Sequence, residues 1–371
     1  MNPNKLKIVF CITNDPVTDR RMNRICSAVA EFGHEVELIG VDRSRKIDQL
    51  PTDFKITKIK PLFKKSFLFY AEYNLRLFFI LLFRKMDIVS SADIDTVLAC
   101  KTVSTLRNKK IVFDAHEYFS EVPELKGKKI KKGIWKSIES CCLPAINSNY
   151  TVSESLADIY NTISGKIYKV IRNVPSMAEF EDFKNKSYEN NEIKLLSYVG
   201  ALNEGRGIEQ MIYALSKLPN RFKLQIIGGG PLEEKIDEII KQLHIEDRIY
   251  LKGWVSPQDI PGLLKGSFLG FNILMDDSIN YQVSLANKIF DYIHLGIPCI
   301  STDFKEYQKI NQKFDCLYLI NNNEADSISN FIKNIEEDKE EYYRKKVNCA
   351  DAAEILNWES EKIKLKEIYF L

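Results

Sequence analysis

Twice along this 371-residue chain, short apolar runs of strand length alternate with longer stretches whose apolar residues recur every three to four positions, and a polar stretch at 183–192 separates the two series. A strand that returns parallel to its neighbour needs a crossover of a dozen or more residues, which a helix supplies. The alternation therefore restricts the chain to parallel α/β sheets with helices on both faces. Strands are expected at 7–13, 35–41, 54–59, 87–90, 110–114, 149–152 and 168–171, then at 193–199, 223–227, 248–251, 268–272, 299–302 and 317–320. The clearest helix between them is 19–32: Met22, Ile25, Cys26 and Val29 share a face, and Gly33 stops it. Two doubly wound domains facing across a cleft follow, and the length suits two cores of ordinary size.

Charge is distributed unevenly. Residues 1–172 hold 29 Lys and Arg against 19 Asp and Glu, a formal +10, whereas residues 173–371 carry −8. A basic half attracts nucleic acid, anionic lipid or phosphorylated substrates. No zinc-finger spacing and no RNP-like aromatic motif accompanies the basic clusters, so nucleic acid is not expected as a partner. The eight cysteines, adjacent Cys141 and Cys142 included, form no CxxC pair and no metal-ligand spacing, which fits a reduced, cytoplasmic setting. The strand expected at 7–13 leaves no room for a signal peptide ahead of it, so the mature protein is expected to start at Met1.

The stretch 67–83 is rich in Phe, Leu and Tyr, with Lys64-Lys65 before it and Arg84-Lys85 after it. Glu72, Asn74 and Arg76 interrupt it, so it falls short of the roughly 20 apolar residues of a membrane-spanning helix. Two readings stay open: an aromatic helix lying in a headgroup region, or a helix buried on the sheet with one polar edge. A second basic cluster occupies 126–132.

In doubly wound sheets ligands sit beyond the carboxyl ends of the strands. The segment from Ser284 to Pro298 reads as a polar loop, a short helix from Asn287, a stop at Gly296 and Pro298, and the strand at 299–302. The unpaired N–H groups of such a helix start favour an anion, and Lys288 adds a full charge. Asp291 lies three positions on, on the same helix face. A diphosphate beside a ribose diol would use both; a surface ion pair on an ordinary helix is the plainer alternative. Arg206 and the glycines Gly200, Gly205 and Gly207 follow the strand at 193–199, and Gly228-Gly229-Gly230-Pro231 follows the next. Glycine lets backbone come close to a phosphate, and Arg suits bidentate phosphate contact.

These residues resemble the retaining GT-B glycosyltransferases of family 4, whose fold is two Rossmann-like domains facing across a cleft, and the likeness runs over nearly the whole chain. Val199-Gly200 through Arg206-Gly207 resembles the first donor loop, Ile226 to Pro231 the IVGxGP turn, and Leu251 to Val255 the FxGxV segment near the base. Asp291 falls on the second acid of the E-x7-E motif, which the resemblance implies binds the ribose hydroxyls. Asn14-Asp15 with Asp19-Arg20-Arg21, Ala92 to Thr96, Phe113 to Glu117 with Glu121 to Leu125, and Ile171 to Pro175 resemble bacterial polysaccharide-building members. His116 falls on the histidine placed near the transferred sugar.

The resemblance thus implies a donor site of Gly200, Arg206, Gly207, Gly229, Gly230, Val255, Ser284, Asn287, Lys288 and Asp291. His116 is implied as catalytic, and Asn14, Asp15, Arg21, Asp95, Glu117 and Glu121 as acceptor residues. It implies an acceptor domain at 1–175, a donor domain at 190–351 and a helix at 352–371 that packs back on the first. Two departures stand out: Val283 occupies the position of the first acid, and Ala201 replaces the usual arginine of the first donor loop. The implied activity is transfer of a sugar from a UDP- or GDP-sugar to a growing glycan or lipid-linked acceptor, with retention, in bacterial surface polysaccharide assembly such as capsule or lipopolysaccharide. No cofactor or metal is required, and peripheral contact with the inner face of an anionic membrane is expected. A nucleotide-sugar epimerase using His116 with Glu117, and a non-catalytic nucleotide-sugar sensor motivated by Val283, are the rivals.

Overall fold

The structure is a computed structural model that describes residues 5–43, 53–64, 66–122, 125–183, 192–275 and 278–370. Lys65, Pro123, Glu124 and residues 184–191 of the polar stretch lie outside the described residues. The chain divides into two compact units, residues 1–173 with 361–371, and residues 174–360.

The first unit contains β1 (Lys7–Cys11), α1 (Arg20–Glu31), β2 (Glu35–Val41), β3 (Lys55–Ile59), α2 (Ser66–Phe83), β4 (Ile88–Ala92) and α3 (Ile94–Leu106). It continues through β5 (Lys110–Ala115), α4 (Lys129–Cys142), β6 (Ser148–Thr151), α5 (Glu154–Ser164) and β7 (Tyr168–Val170). Its strands pair in parallel in the order β3-β2-β1-β4-β5-β6-β7. The local reasons are visible in α1. The Asp19 carboxylate accepts the Met22 N–H at 3.0 Å, capping the helix, the expected apolar row faces inward, and Gly33 at φ +95° ends it.

The second unit contains β8 (Lys194–Val199), α6 (Ile208–Ser216), β9 (Phe222–Ile227), α7 (Glu233–Leu243), β10 (Ile249–Gly253), α8 (Ile260–Leu264) and β11 (Leu269–Asn272). There follow α9 (Ile279–Val283), α10 (Asn287–His294), β12 (Cys299–Thr302), α11 (Lys305–Phe314), β13 (Leu317–Ile320), α12 (Ala325–Glu337) and α13 (Lys339–Ala353), and then α14 (Trp358–Tyr369), which begins in this unit and ends in the first. The strand order β10-β9-β8-β11-β12-β13 repeats the winding of the first sheet. Both units are parallel-sheet, Rossmann-like α/β folds, and every strand expected from the sequence is present.

The unit boundaries depart from the expected 1–175, 190–351 and 352–371. Ala352, Ala353 and Leu356 are buried in the second unit's core, so the chain rejoins the first unit only at Glu361, partway along α14. Residues 174–183, expected ahead of the donor domain, belong to the second unit, where the buried Phe180 ring lies 5.1 Å from that of His294.

The returning end of α14 is built into the first unit's core. Tyr369 is fully buried, its ring 5.4 Å from Phe10, and its hydroxyl bonds Ser90 Oγ at 2.9 Å and Tyr150 Oη at 3.1 Å. Tyr369→Ala removes that ring and leaves two hydroxyls short of a partner, a loss of about 3–5 kcal/mol. In a thermal scan the transition of the first unit should fall well below its wild-type Tm; an unchanged scan would contradict this packing.

Candidate functional site

In the second unit, the loops that follow β8, β9 and β10 are zipped together by backbone bonds. Gly200 N donates to Ile227 O at 2.9 Å, Leu202 N to Gly229 O at 3.1 Å, and Gly228 N to Gly253 O at 2.8 Å. Contact this close needs glycine: a Cβ at Gly228 would stand 1.9 Å from Gly200 O, and one at Gly230 2.6 Å from Leu202 O. The glycines expected to approach a phosphate thus first serve the approach of loop to loop. Gly207, at φ +64°, precedes α6 and is pressed against Ile273 after β11. Gly230 N–H is bonded by the Glu233 carboxylate at 2.7 Å, and a Cβ at Gly229 would meet that same carboxylate.

Onto this platform projects Lys288, the second residue of α10. It is 6% exposed, and its ammonium has no hydrogen-bond partner among the described residues. It sits 3.8 Å from the centre of the Tyr198 ring, and a Cβ on Gly200 would come 3.5 Å from Nζ. Burial, then the nearby Arg206 charge, pushes its pKa well below the ordinary lysine value. Arg206 lies 5.9 Å over the Tyr281 ring with its Nε also unbonded. Two cations, neither paired with a carboxylate among the described residues, therefore converge beside the β8 loop. The ordinary surface ion pair is excluded, because Lys288 and Asp291 are both buried. Asn287 is exposed at the start of α10, Ser284 Oγ bonds Tyr281 O at 2.9 Å, and Val255 is half-buried after β10.

The first unit carries a different constellation at the ends of β1, β4 and β5. His116 is held between two carboxylates, with Nε2 2.9 Å from Asp114 Oδ2 and Nδ1 3.3 Å from Asp93 Oδ2, while its N–H bonds Asp93 Oδ1 at 2.7 Å. Asp114 also takes a forked contact from Arg21, at 2.8 and 3.2 Å. Burial works against the imidazolium, but Asp114 and Asp93 outweigh it and raise the His116 pKa to about 9. For Asp114, burial is likewise outweighed by Arg21 and His116, which bring it to about 2. Asp95 is the opposite case: burial and the Asp93 charge push it up to about 8. Thr13 Oγ1 donates to its Oδ2, and its buried Oδ1 has no hydrogen-bond partner among the described residues.

The remaining expected acceptor residues are placed less openly. Arg21 is 5% exposed and spends itself on Asp114 and the Ile171 carbonyl, so it positions Asp114. Asp15 holds a turn by accepting Val17 N–H at 3.1 Å and lies 3.8 Å from Lys58. Asn14 bonds Asp19, Glu121 pairs with Lys132 and Lys136, and the Glu117 carbonyl accepts the Tyr160 hydroxyl. Asp93, Asp114, Thr13 and Tyr198 were not singled out as site residues. Asp93 and Asp114 stand inside quoted motifs, but Tyr198 left no signal beyond an aromatic in a strand.

Comparison with known proteins bears on the second unit most directly. Residues 179–353 match the family described as glycosyl transferases group 1. An uncharacterized glycosyltransferase of Methanocaldococcus jannaschii is 24% identical over 65% of this chain and 67% of its own length. The lipopolysaccharide 1,6-galactosyltransferase of Escherichia coli is 30% identical over 34% of each chain, so only about a third of that relative is spanned. The crystal structure of HepE from Anabaena, in complex with UDP and glucose, covers 98% of both chains with a TM-score of 0.76 at 12% identity. That likeness shows the fold.

The His116 clamp has a pH signature. Its protonated form is stabilised on folding, so this stability is complete below about pH 6.5, the ordinary histidine value, and is lost as pH rises through about 9. An NMR titration, with the resonance assigned through His116→Gln, should give a midpoint near 9 that falls in Asp93→Asn. A wild-type midpoint at the ordinary histidine value would refute the clamp.

Proposed function

We propose that this chain, whose residues 179–353 match the glycosyl transferases group 1 family, moves a sugar from a UDP- or GDP-sugar to a growing glycan or lipid-linked acceptor with retention of anomeric configuration. The observation that carries the reading is Lys288, a buried ammonium without a hydrogen-bond partner among the described residues, next to Arg206, whose Nε also lacks one there. Burying an unpaired cation is costly, and a second cation nearby raises the cost. A diphosphate seated against the β8 loop would offset both charges at once.

The chemistry follows from that electrostatics. A glycosyl–diphosphate bond breaks through a state in which the sugar carbon gains positive charge and the leaving diphosphate gains negative charge. Lys288, Arg206 and the N–H groups at the start of α10 are aimed at the second of these. That charge falls to side chains and backbone, without a metal. Asp291 and Val255 are assigned to the nucleoside end, and Ser284, Gly229 and Gly230 to the diphosphate–sugar end. Attack on the same face, assisted by the leaving phosphate, accounts for retention, and no protein nucleophile is named.

His116 is retained as the group offered to the sugar, in a sharper role. Both ring nitrogens donate to carboxylates and the ring is charged near neutrality, so it acts as a donor and not as a base. The longer contact, to Asp93, is the one a sugar hydroxyl would displace. This weighs against the epimerase alternative, which needs His116 to accept a proton. For the acceptor, Asp95 is the open candidate, with Glu117 near enough to act on its charge and Asn14 next in the chain to its partner Thr13. HepE was crystallised with UDP and glucose, which supports a nucleotide sugar, and the Escherichia coli relative is named for lipopolysaccharide galactosyl transfer, which supports a surface-polysaccharide product. Such a transferase would work in the cytoplasm, at the inner face of the membrane that carries its acceptor.

A thermal-shift panel of UDP, GDP, CMP and ADP with their common sugars tests the donor assignment. At about 100 times its dissociation constant the true ligand adds roughly 2.7 kcal/mol of stability. One nucleotide family should raise Tm in wild type and not in Lys288→Ala. Affinity should weaken as pH rises toward the ordinary lysine range, because Lys288 must then gain a proton to meet the anion. No shift with any nucleotide overturns the donor site, and binding without turnover transfers the case to a sensor.

A further inference from the structure

We propose that the outward face of α2, bordered by lysines of α4, is a docking surface for an anionic lipid bilayer. Apart from Glu72, Asn74 and Arg76, the helix is apolar on its inward and outward faces alike. One row, Phe69, Tyr73, Leu77 and Leu81, is buried in the first unit. The opposite row, Phe67, Ala71, Leu75, Phe79 and Phe83, faces outward; Leu75 is 59% and Phe83 82% exposed. A soluble helix normally keeps that second face polar. The patch is also extended deliberately. Glu72 takes the N–H groups of Leu62 and Phe63, each at 2.9 Å, and fixes these two exposed apolar residues beside the helix. Glu72 is the sole acid in α2, and the Arg76 guanidinium lies 2.7 Å from it, so the face carries no uncompensated negative charge.

The rim supplies the choice of occupant. The Tyr70 and Trp135 rings meet at 5.1 Å, which brings α4 alongside α2, and α4 exposes Lys129, Ile130 and Lys131. Lys64 and Lys85 are exposed at the two ends of α2. A second copy of this chain would set cationic rim against cationic rim, whereas an anionic headgroup layer complements it. The helix is long and apolar enough to cross a bilayer by length and composition alone. Its attachments forbid that: the Tyr73 hydroxyl bonds the Ile12 carbonyl, and Asn74 bonds Asp95 O at 2.7 Å and Ala99 N at 3.2 Å. Anchored to the sheet on one side, α2 lies on the lipid surface instead of spanning it. The membrane-side reading above gives this docking its purpose, but the docking is a property of the surface alone.

Co-sedimentation with vesicles of phosphatidylcholine and phosphatidylglycerol, compared with phosphatidylcholine alone, tests the proposal. Wild type should bind the anionic vesicles in a salt-sensitive way. The double variant Leu75→Glu/Phe79→Glu, and separately Lys129→Glu/Lys131→Glu, should lower the partition coefficient by roughly tenfold or more. All four positions are exposed, and wild-type thermal unfolding with an intact nucleotide shift verifies that each variant is folded. Wild type left in the supernatant, or undiminished binding by Leu75→Glu/Phe79→Glu, overturns the proposal while leaving the donor site standing. A lipid-free dimer that this variant splits assigns the face to a second copy and overturns it equally.

Discussion

A parallel sheet delivers the carboxyl ends of all its strands to one edge, and where the winding reverses, the loops of two adjacent strands diverge and leave room between them. Both units have that reversal, at β1/β4 in the first and β8/β11 in the second. The chemistry sits there in each. Thr13, after β1, donates to Asp95, just after β4, and Gly207, after β8, rests on Ile273, after β11. Residues 82 positions apart in the first case become hydrogen-bond partners because of strand order, not because of any local motif.

The two units treat buried charge in opposite ways. In the first, Arg21, Asp114 and His116 form a closed set whose members satisfy one another, and closed sets of this kind hold geometry more than they add net stability. In the second, Lys288 is buried with no hydrogen-bond partner among the described residues, over a ring face that offers only partial compensation. The contrast divides positioning from binding. A group whose needs are met inside the fold cannot gain much from a ligand, and a group whose needs are unmet can. By the same criterion Asp95, with an unbonded buried oxygen, stands apart from Arg21 and Asp15 among the expected acceptor residues.

Alternating βα patterns made the fold legible, and so did much of the donor-side site. Strand ends locate Arg206, the glycine loops and the start of α10 without any coordinates, because the βα winding assigns them to one sheet edge. The glycines were legible as necessary but not for the right neighbour: Gly228 and Gly230 are required by Gly200 and Leu202 backbone atoms. Lys288 and Asp291 were legible as a pair on one face, but their burial was not, since α10 carries polar residues on the side that the tertiary packing encloses. The stretch at 67–83 was ambiguous between core and surface because both of its faces are apolar, and the structure makes it both.

The sequence by itself therefore determined two parallel α/β sheets, their strands, and the loops in which charge and glycine concentrate, since hydrophobic period and turn residues act over a few neighbours at a time. The tertiary structure alone decided the ionisation of His116, Asp95 and Lys288, which depends on burial and on partners distant in the chain. It alone decided that Tyr198 would lie beneath Lys288 and that Tyr369 would close the first unit's core. Such contacts join segments that no periodicity relates; they exist only once the sheets have brought those segments together.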